Sequence, residues 1–324
     1  MAVFTCGWEL GSMDAYTNLG FIMGGGSIVT DAAYVHKSVD SRGGSYAWRQ
    51  SPGGGFYTPV FGTTGRWLHF WRLGSGTSYM DFLRNGSVQS RIQFYGGGAI
   101  RWWRGPNQGP LIYGHYNSNL PHWFALEANL NNSGQITLYI DGVQVGQYIG
   151  DTQYLSSADW DQILFTGNSS NGQSFDDIVV TTAAEGRLGE YFIPPMIPDG
   201  VDVADSGGSA SNINTIPPDS NYNTFTSAGR DRYTTANLAW TPEDIHSVTV
   251  INKGARDGTI SQSQTVCATD TGGGGPTEAL GTATGPAAAS AQTTWQDVFN
   301  TDPNTAAAWT ASGLDDLRVG VKYS

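Results

Sequence analysis

Residues 135–148 read QITLYIDGVQVGQY. Ile136, Leu138 and Ile140 alternate on one side of Asp141-Gly142, and Val143 and Val145 on the other. That is the period of a strand, in which every second side chain faces the same way. Asp-Gly tolerates the positive φ that a two-residue hairpin turn demands. The stretch predicts a β-hairpin, and its pattern recurs in both directions. RWLHFWRL (66–73), SRIQFYG (90–96), HWFALEANL (122–130) and FDDIVVTT (175–182) are further strands with turn residues between them. Nothing before residue 195 carries a convincing helical period, so the sequence predicts an all-β fold.

Composition agrees. Hydrophobic residues are 39% and charged residues 14%, with 44 glycines, the profile of a turn-rich β protein. At 324 residues the chain has room for two cored domains or one large β-sandwich. YFIPPMIPDG (191–200) reads as a stiff seam, giving domains 1–196 and 197–324. In the second, HSVTVINKGA (246–255) and LRVGVKY (317–323) are strands. The low-complexity run 271–290 reads as a loop or weak strand pair, and WQDVFNTDPNTAAAWT (295–310) as a connection with an Asp302-Pro303 turn.

The net charge of −12 argues against a general nucleic-acid binder, which needs a basic surface. Cys6 and Cys267 read as separate reduced thiols, the pattern of a chain folded in a cytoplasm. The sequence shows no secretory signal and no run approaching the roughly 18 apolar residues of a membrane span, so no membrane insertion is expected. The charge is nevertheless uneven. Residues 42–104 hold eight arginines and one acid, Asp81. This basic, aromatic block suggests a face for an acidic partner, or equally a solvated outer sheet with scattered arginines.

The block closes on AIRWWRG (99–105). On a strand, Ile100, Trp102 and Arg104 share one face and Arg101 and Trp103 the other. Trp102, beside Ile100, is the core member. Trp103 is expected to be partly exposed, as a contact for a subunit or a glycan or as packing beneath the GPNQGP loop. Among the other candidate sugar-stacking aromatics (Trp48, Trp67, Trp71 and Tyr113) most should be core. The contact residues read from the sequence are Arg101, Trp103, Arg104 and Tyr113.

The run from SYMDFLRNG through HWFALEANLNNSGQITLYIDGVQVGQY to SFDDIVV resembles the concanavalin-A-like, laminin-G-like jelly roll. LGEYFIPPMIPDG, INTIPPDSNYNTF, VINKGARDG and LDDLRVGVKYS follow it in an order similar to a tandem of bacteriophage structural proteins. There, a laminin-G-like domain precedes a smaller β-rich domain. The resemblance spans nearly the whole chain. It implies an antiparallel jelly-roll sandwich followed by a smaller β-sandwich-like assembly domain. The implied protein is a virion component displayed on a tail or capsid, made in the host cytoplasm and released by lysis. Its expected partners are other virion proteins, further copies of itself and a host-surface glycan. Capsid decoration and glycan depolymerisation are the rival roles.

Hydrolase relatives carry a Glu-x-Asp-x-x-Glu or Glu-x-Asp-x-Glu run on one strand. This chain has none, so no enzyme is expected and no catalytic residue is assigned. Glu127 stands alone in its strand, an ordinary concave- or solvent-face residue. Asp159-Trp160-Asp161 reads as a loop anchor, and Asp176-Asp177 as a strand-start pair facing opposite ways, one of them bonding the amides of a neighbouring loop. No cofactor is expected. Laminin-G relatives that bind calcium make Asp151, Asp159, Asp161 and Asp177 the candidate ligands. The five histidines, His36 among them, show no metal spacing, and Gly24–Gly26 and Gly53–Gly55 lack the Lys-Ser/Thr of a phosphate loop.

Overall fold

The computed structural model describes residues 2–6, 22–23, 27–29, 47–49, 54–61, 64–106, 110–155, 159–167, 173–189, 191, 193–214, 222–225, 227–238, 240–254, 262–270, 275–283 and 293–324. Gly24–Gly26, Gly53, His36, the Trp48 side chain and the stretches 107–109, 271–274 and 284–290 lie outside them. The chain divides into two compact units, the first running to Pro194 and the second from Pro195.

The first unit contains β1 (Ala2–Cys6), β2 (Ile22–Met23), β3 (Ser27–Val29), β4 (Ala47–Arg49), β5 (Gly55–Tyr57), β6 (Trp67–Leu73), β7 (Ser78–Arg84) and β8 (Ser87–Phe94). It continues with β9 (Ala99–Arg104), β10 (Pro110–His115), β11 (His122–Asn129), β12 (Gly134–Ile140), β13 (Val143–Gly150), β14 (Gln162–Gly167) and β15 (Ser174–Thr181). They form two antiparallel sheets. One runs β13-β12-β11-β6-β15-β4-β3, with β1 also paired to β15; the other runs β10-β9-β8-β7-β14-β5-β2. This is a jelly-roll sandwich, and the fold is all-β.

The hairpin that decided the sequence reading is β12–β13. Asp141 (φ 49°) and Gly142 (φ 80°) both sit in the left-handed region, as a two-residue turn on a right-twisted ladder requires. Asn85 (φ 51°) and Gly86 (φ 74°) repeat the device between β7 and β8.

Alternation puts Leu68 and Phe70 of β6, Phe124 and Leu126 of β11 and Leu138 of β12 between the sheets, all fully buried. Met80, Phe82, Ile92, Phe94, Trp102 and Phe165 meet them from the other side. Phe70 stacks on Phe124 with centroids 5.0 Å apart, and Phe94 stands edge-on to Phe124 at 5.5 Å. Both are favourable aromatic geometries. Where β10 meets β13 the sheets close tightly: a Cβ on Gly146 would lie 2.3 Å from Ile112 Cγ2. Only glycine fits there.

One cation lies in this core. Arg72 is 1% exposed, its guanidinium donating to Gly74 O (3.0 Å), Gly76 O (3.1 Å) and Gln173 Oε1 (2.6 Å). It lies over the Phe94 ring at 4.6 Å. Burial pulls it down to about 9, so it stays charged at neutral pH.

The second unit contains β16 (Pro198–Ala204), β17 (Gly229–Thr235), β18 (Val248–Gly254), β19 (Ser263–Thr269), β20 (Thr277–Leu280), β21 (Thr293–Phe299), a short helix α1 (Ala311–Asp315) and β22 (Arg318–Tyr323). A five-stranded sheet, β16-β17-β22-β19-β20, accompanies the pair β18-β21. Val250, Cys267, Trp309, Leu314 and Leu317 form its core. Thr310 caps α1, its hydroxyl oxygen accepting from Gly313 N at 3.1 Å. β21 corrects the reading of its segment as a connection. Thr294, Gln296 and Val298 alternate with Trp295, Asp297 and Phe299, and the ladder to β18 runs unbroken from Val248↔Phe299 to Gly254↔Thr293. The charged and amide residues in it had masked the strand period.

One carboxylate reading also changes. Glu127 is not a solvent-face residue: it is 8% exposed and accepts from Arg66 Nη2 (2.7 Å), Gln135 Nε2 (2.6 Å) and Thr137 Oγ1 (3.0 Å). Asp176 and Asp177 are both buried, and the ladder from β15 to β6 shifts register between Asp176 and Val179. Asp176 Oδ1 accepts from the N–H of Asp177 at 2.8 Å. Cys6 and Cys267 are buried thiols that share no disulfide.

Candidate functional site

The outward face of the β9 sheet is built by register. Tyr113 of β10 lies opposite Arg101 of β9, Arg101 opposite Gln93 of β8, and Gln93 opposite Tyr79 of β7. One step along, Trp103 lies opposite Arg91 and Arg91 opposite Asp81. Every residue in both rows belongs to the same alternate set, so the face presents aromatic rings and hydrogen-bonding groups on four adjacent strands.

Its geometry is tied together. Arg101 Cζ sits 4.8 Å from the Tyr95 ring centroid and 5.7 Å from that of Tyr113. Arg101 Nη1 donates to Tyr95 Oη at 3.3 Å, Tyr95 Oη to Gln93 Oε1 at 2.6 Å, and Gln93 Nε2 to Tyr79 Oη at 3.2 Å. Arg91 forks onto Asp81 (Nε–Oδ1 2.6 Å, Nη2–Oδ2 2.7 Å) and lies over the Tyr79 ring at 4.9 Å. That hydrogen-bonded carboxylate raises Arg91 above its ordinary value. Tyr113, 64% exposed, is the open end of the row.

The four contact residues read from the sequence separate here. Arg101, Trp103 and Tyr113 share this face. Arg104 does not: it belongs with Ile100 and Trp102, and its Nη1 donates to Asp151 Oδ2 at 2.6 Å. Trp102 is the core member, stacked on Phe82 at 5.7 Å with its indole N–H donating to Ser90 Oγ at 2.6 Å. Trp103 is half-buried. Its Nε1 is shielded from solvent and has no hydrogen-bond partner among the described residues.

Two of the four calcium candidates pair with arginines. Asp151 pairs with Arg104, and Asp161 lies 3.2 Å from Arg84. Asp159 holds a loop through its backbone N–H on Leu130 O at 3.0 Å, and Asp177 is fully buried in β15. Among the described residues no group of three or more His, Cys, Asp or Glu side chains could hold a metal ion. Nor is any described helix long and apolar enough to cross a membrane.

Tyr79, Tyr95, Gln93 and the Arg91–Asp81 pair were not singled out from the sequence. The signal was present: Tyr79 and Asp81 in SYMDFLR, and Arg91, Gln93 and Tyr95 in SRIQFY, are the polar alternates of two strands. Only the order of strands shows that these sets adjoin Arg101.

No protein-family model matches the chain, and no curated protein matches it. Among solved structures, it is similar to a protein of unknown function with a galectin-like fold from Bacillus subtilis, with 11% identity, a TM-score of 0.39, and coverage of 58% of this chain and 97% of that one. It is also similar to an endo-β-1,4-glucuronan lyase from Trichoderma reesei (14% identity, TM-score 0.38, 56% of this chain and 96% of that one). A carbohydrate esterase from the Shiga toxin-encoding bacteriophage phi24B matches at 14% identity and TM-score 0.39, over 59% of this chain and 99% of that one. At these identities and TM-scores the likenesses say nothing about the activity of this chain.

Proposed function

We infer that the chain is a non-enzymatic virion structural protein whose first unit recognises glycans through the outward face of β7–β10. One observation carries the recognition reading. Tyr113, Arg101, Tyr95, Gln93 and Tyr79 form a continuous hydrogen-bonded and stacked row across four strands, open at Tyr113. Pyranose C–H groups stack on tyrosine faces, while amide, phenol and guanidinium groups meet the hydroxyls. A sheet holds these groups at fixed spacing, so little conformational entropy is lost on binding.

The non-catalytic reading follows from the carboxylates. Glycoside hydrolysis needs two acids flanking one bond, with one able to donate a proton. Asp81 is the one carboxylate among the alternates that form this face, and both its oxygens are held by Arg91. The virion setting rests on the resemblance of the tandem order to phage structural proteins. There, a symmetric array would multiply weak sugar contacts into avid attachment.

An oligosaccharide microarray probed with the full chain and with Tyr113→Ala tests recognition. The wild type binds and the variant does not; release of reducing ends from any bound polysaccharide would instead make the chain a depolymerase. Immunogold against the second unit tests the setting. Gold at the tail agrees with adsorption, gold over the head makes this a decoration protein, and no gold on intact particles removes exterior display.

The edge of the other sheet favours a second reading, self-association. Val143 is 65% exposed and Ile149 69% exposed on β13, an edge strand whose outer backbone groups can pair with a second copy. Light scattering of wild type against Val143→Lys/Ile149→Lys would reveal a smaller particle for the variant if this edge is a subunit contact.

A further inference from the structure

We propose that the β9-sheet face selects acidic glycans and that Arg101 is the residue that reads the sugar carboxylate. This deepens the recognition reading and depends on it. The argument begins with the arginine excess of residues 42–104 and asks where each described guanidinium goes. Arg66 is held by Glu127 at 2.7 Å, Arg84 by Asp161 at 3.2 Å, Arg91 by Asp81 at 2.6 Å and Arg104 by Asp151 at 2.6 Å. Arg72 is sealed in the core on two carbonyls and an amide. Among the described residues, Arg101 is the member of this block that keeps solvent access and has no carboxylate. Carboxylates neutralise Arg66, Arg84, Arg91 and Arg104.

Arg101 is also oriented. Its guanidinium lies against two tyrosine rings, at 4.8 and 5.7 Å, and spends one N–H on Tyr95 Oη. A guanidinium carries five N–H donors in a planar fork that matches a carboxylate, so most of the fork remains to be used. Flanking rings restrict its rotamers and partly desolvate it, which strengthens a charge-assisted bond. The exposed Tyr113 ring beside it offers the stacking surface for the same sugar residue. A carboxylate on one edge of a pyranose and a C–H face on the other is the chemistry of a uronic acid.

The test is calorimetric titration of the full chain at about 0.15 M salt, where long-range attraction is screened. The probes are hexasaccharides of glucuronate, galacturonate and mannuronate, each beside its carboxyl-reduced neutral twin. The expected result is an acidic member bound about ten-fold or more tightly than its twin, in line with a charge-assisted pair. Arg101→Gln abolishes that preference, so that the acidic member binds no more tightly than its neutral twin, with an unaltered thermal melt. Equal binding of both members, lost in Tyr113→Ala, overturns acid selection while the glycan reading stands. An acid preference that survives Arg101→Gln overturns the role of Arg101. Absence of binding to every pair overturns the proposal, and the microarray then decides the glycan reading separately.

Discussion

Both sheets of the first unit turn an aromatic face outward, and the two faces have different fates. Behind the β6 sheet, Trp67, His69, Trp71 and Trp123 are 9%, 0%, 7% and 6% exposed. The chain leaving β15 lies across them: Trp71 Nε1 donates to Tyr191 O at 3.3 Å, the Tyr191 ring stands edge-on to His69 at 5.8 Å, and Arg187 lies 4.5 Å from the Tyr139 ring. On the β9 sheet the described chain leaves Tyr113 and Arg101 open. Tryptophan density therefore does not mark the candidate recognition face. What marks it is a row whose polar groups are already organised and which no described segment covers. The face richer in tryptophan is structural, and the one richer in tyrosine is the candidate for recognition.

The contrast breaks first at its arginines. Arg72→Ala should destabilise the first unit by about 3–5 kcal/mol, because it strands the Gly74, Gly76 and Gln173 acceptors and opens a cavity beneath Phe94. Arg101→Ala should change stability far less, by about 0.5–1 kcal/mol, as for a half-buried surface side chain without a buried polar partner. Urea unfolding of both variants measures the gap, and equal losses would dissolve the distinction between the faces.

Tyrosines give the next largest effect. Tyr191→Ala, which uncovers His69 and Trp71 and removes the phenol donated to Asp177 O, should lower stability by about 3 kcal/mol. Tyr113→Ala should leave the melt in place and abolish binding on the sugar array. Between the adjacent tryptophans, Trp102→Ala should lose about 3–5 kcal/mol, as expected for a fully buried aromatic, and Trp103→Ala clearly less. Comparable losses would mean that Trp103 is core.

The smallest effect is a pH slope. Burial, reinforced by Asp177 and Asp176, raises the Tyr191 phenol well above its ordinary value of 10. The folded form stays protonated where the unfolded chain ionises. The contribution of Tyr191 is thus complete below about pH 10 and declines as pH rises beyond it. Tyr191→Phe should flatten that decline in denaturation midpoints measured from pH 9 to 11.

Much of this architecture is legible in local sequence. Period-two alternation with Asp141-Gly142 yields the β12–β13 hairpin, and Ile100 beside Trp102 decides which of two neighbouring tryptophans is core. The site is less legible, for two physical reasons. Strand order is non-local, so nothing near Arg101 shows that Gln93 and Tyr79 adjoin it or that Asp151 neutralises Arg104 from 47 positions away. Bulges interrupt parity: the ladder from β15 to β6 shifts register between Asp176 and Val179, so alternation does not carry across that stretch. Glu127 failed for a related reason: its partner Arg66 comes from 61 positions upstream, and without it a buried carboxylate is implausible.

The most direct test of the central claim is hydroxyl-radical footprinting of the full chain, with and without an oligosaccharide that it binds. The account predicts protection of Tyr113, with Tyr95 and Tyr79 beside it, and no change at Tyr139 or Trp123 on the β6 sheet. Protection centred on the β6 sheet or in the second unit, with Tyr113 oxidised as in the free protein, would contradict it.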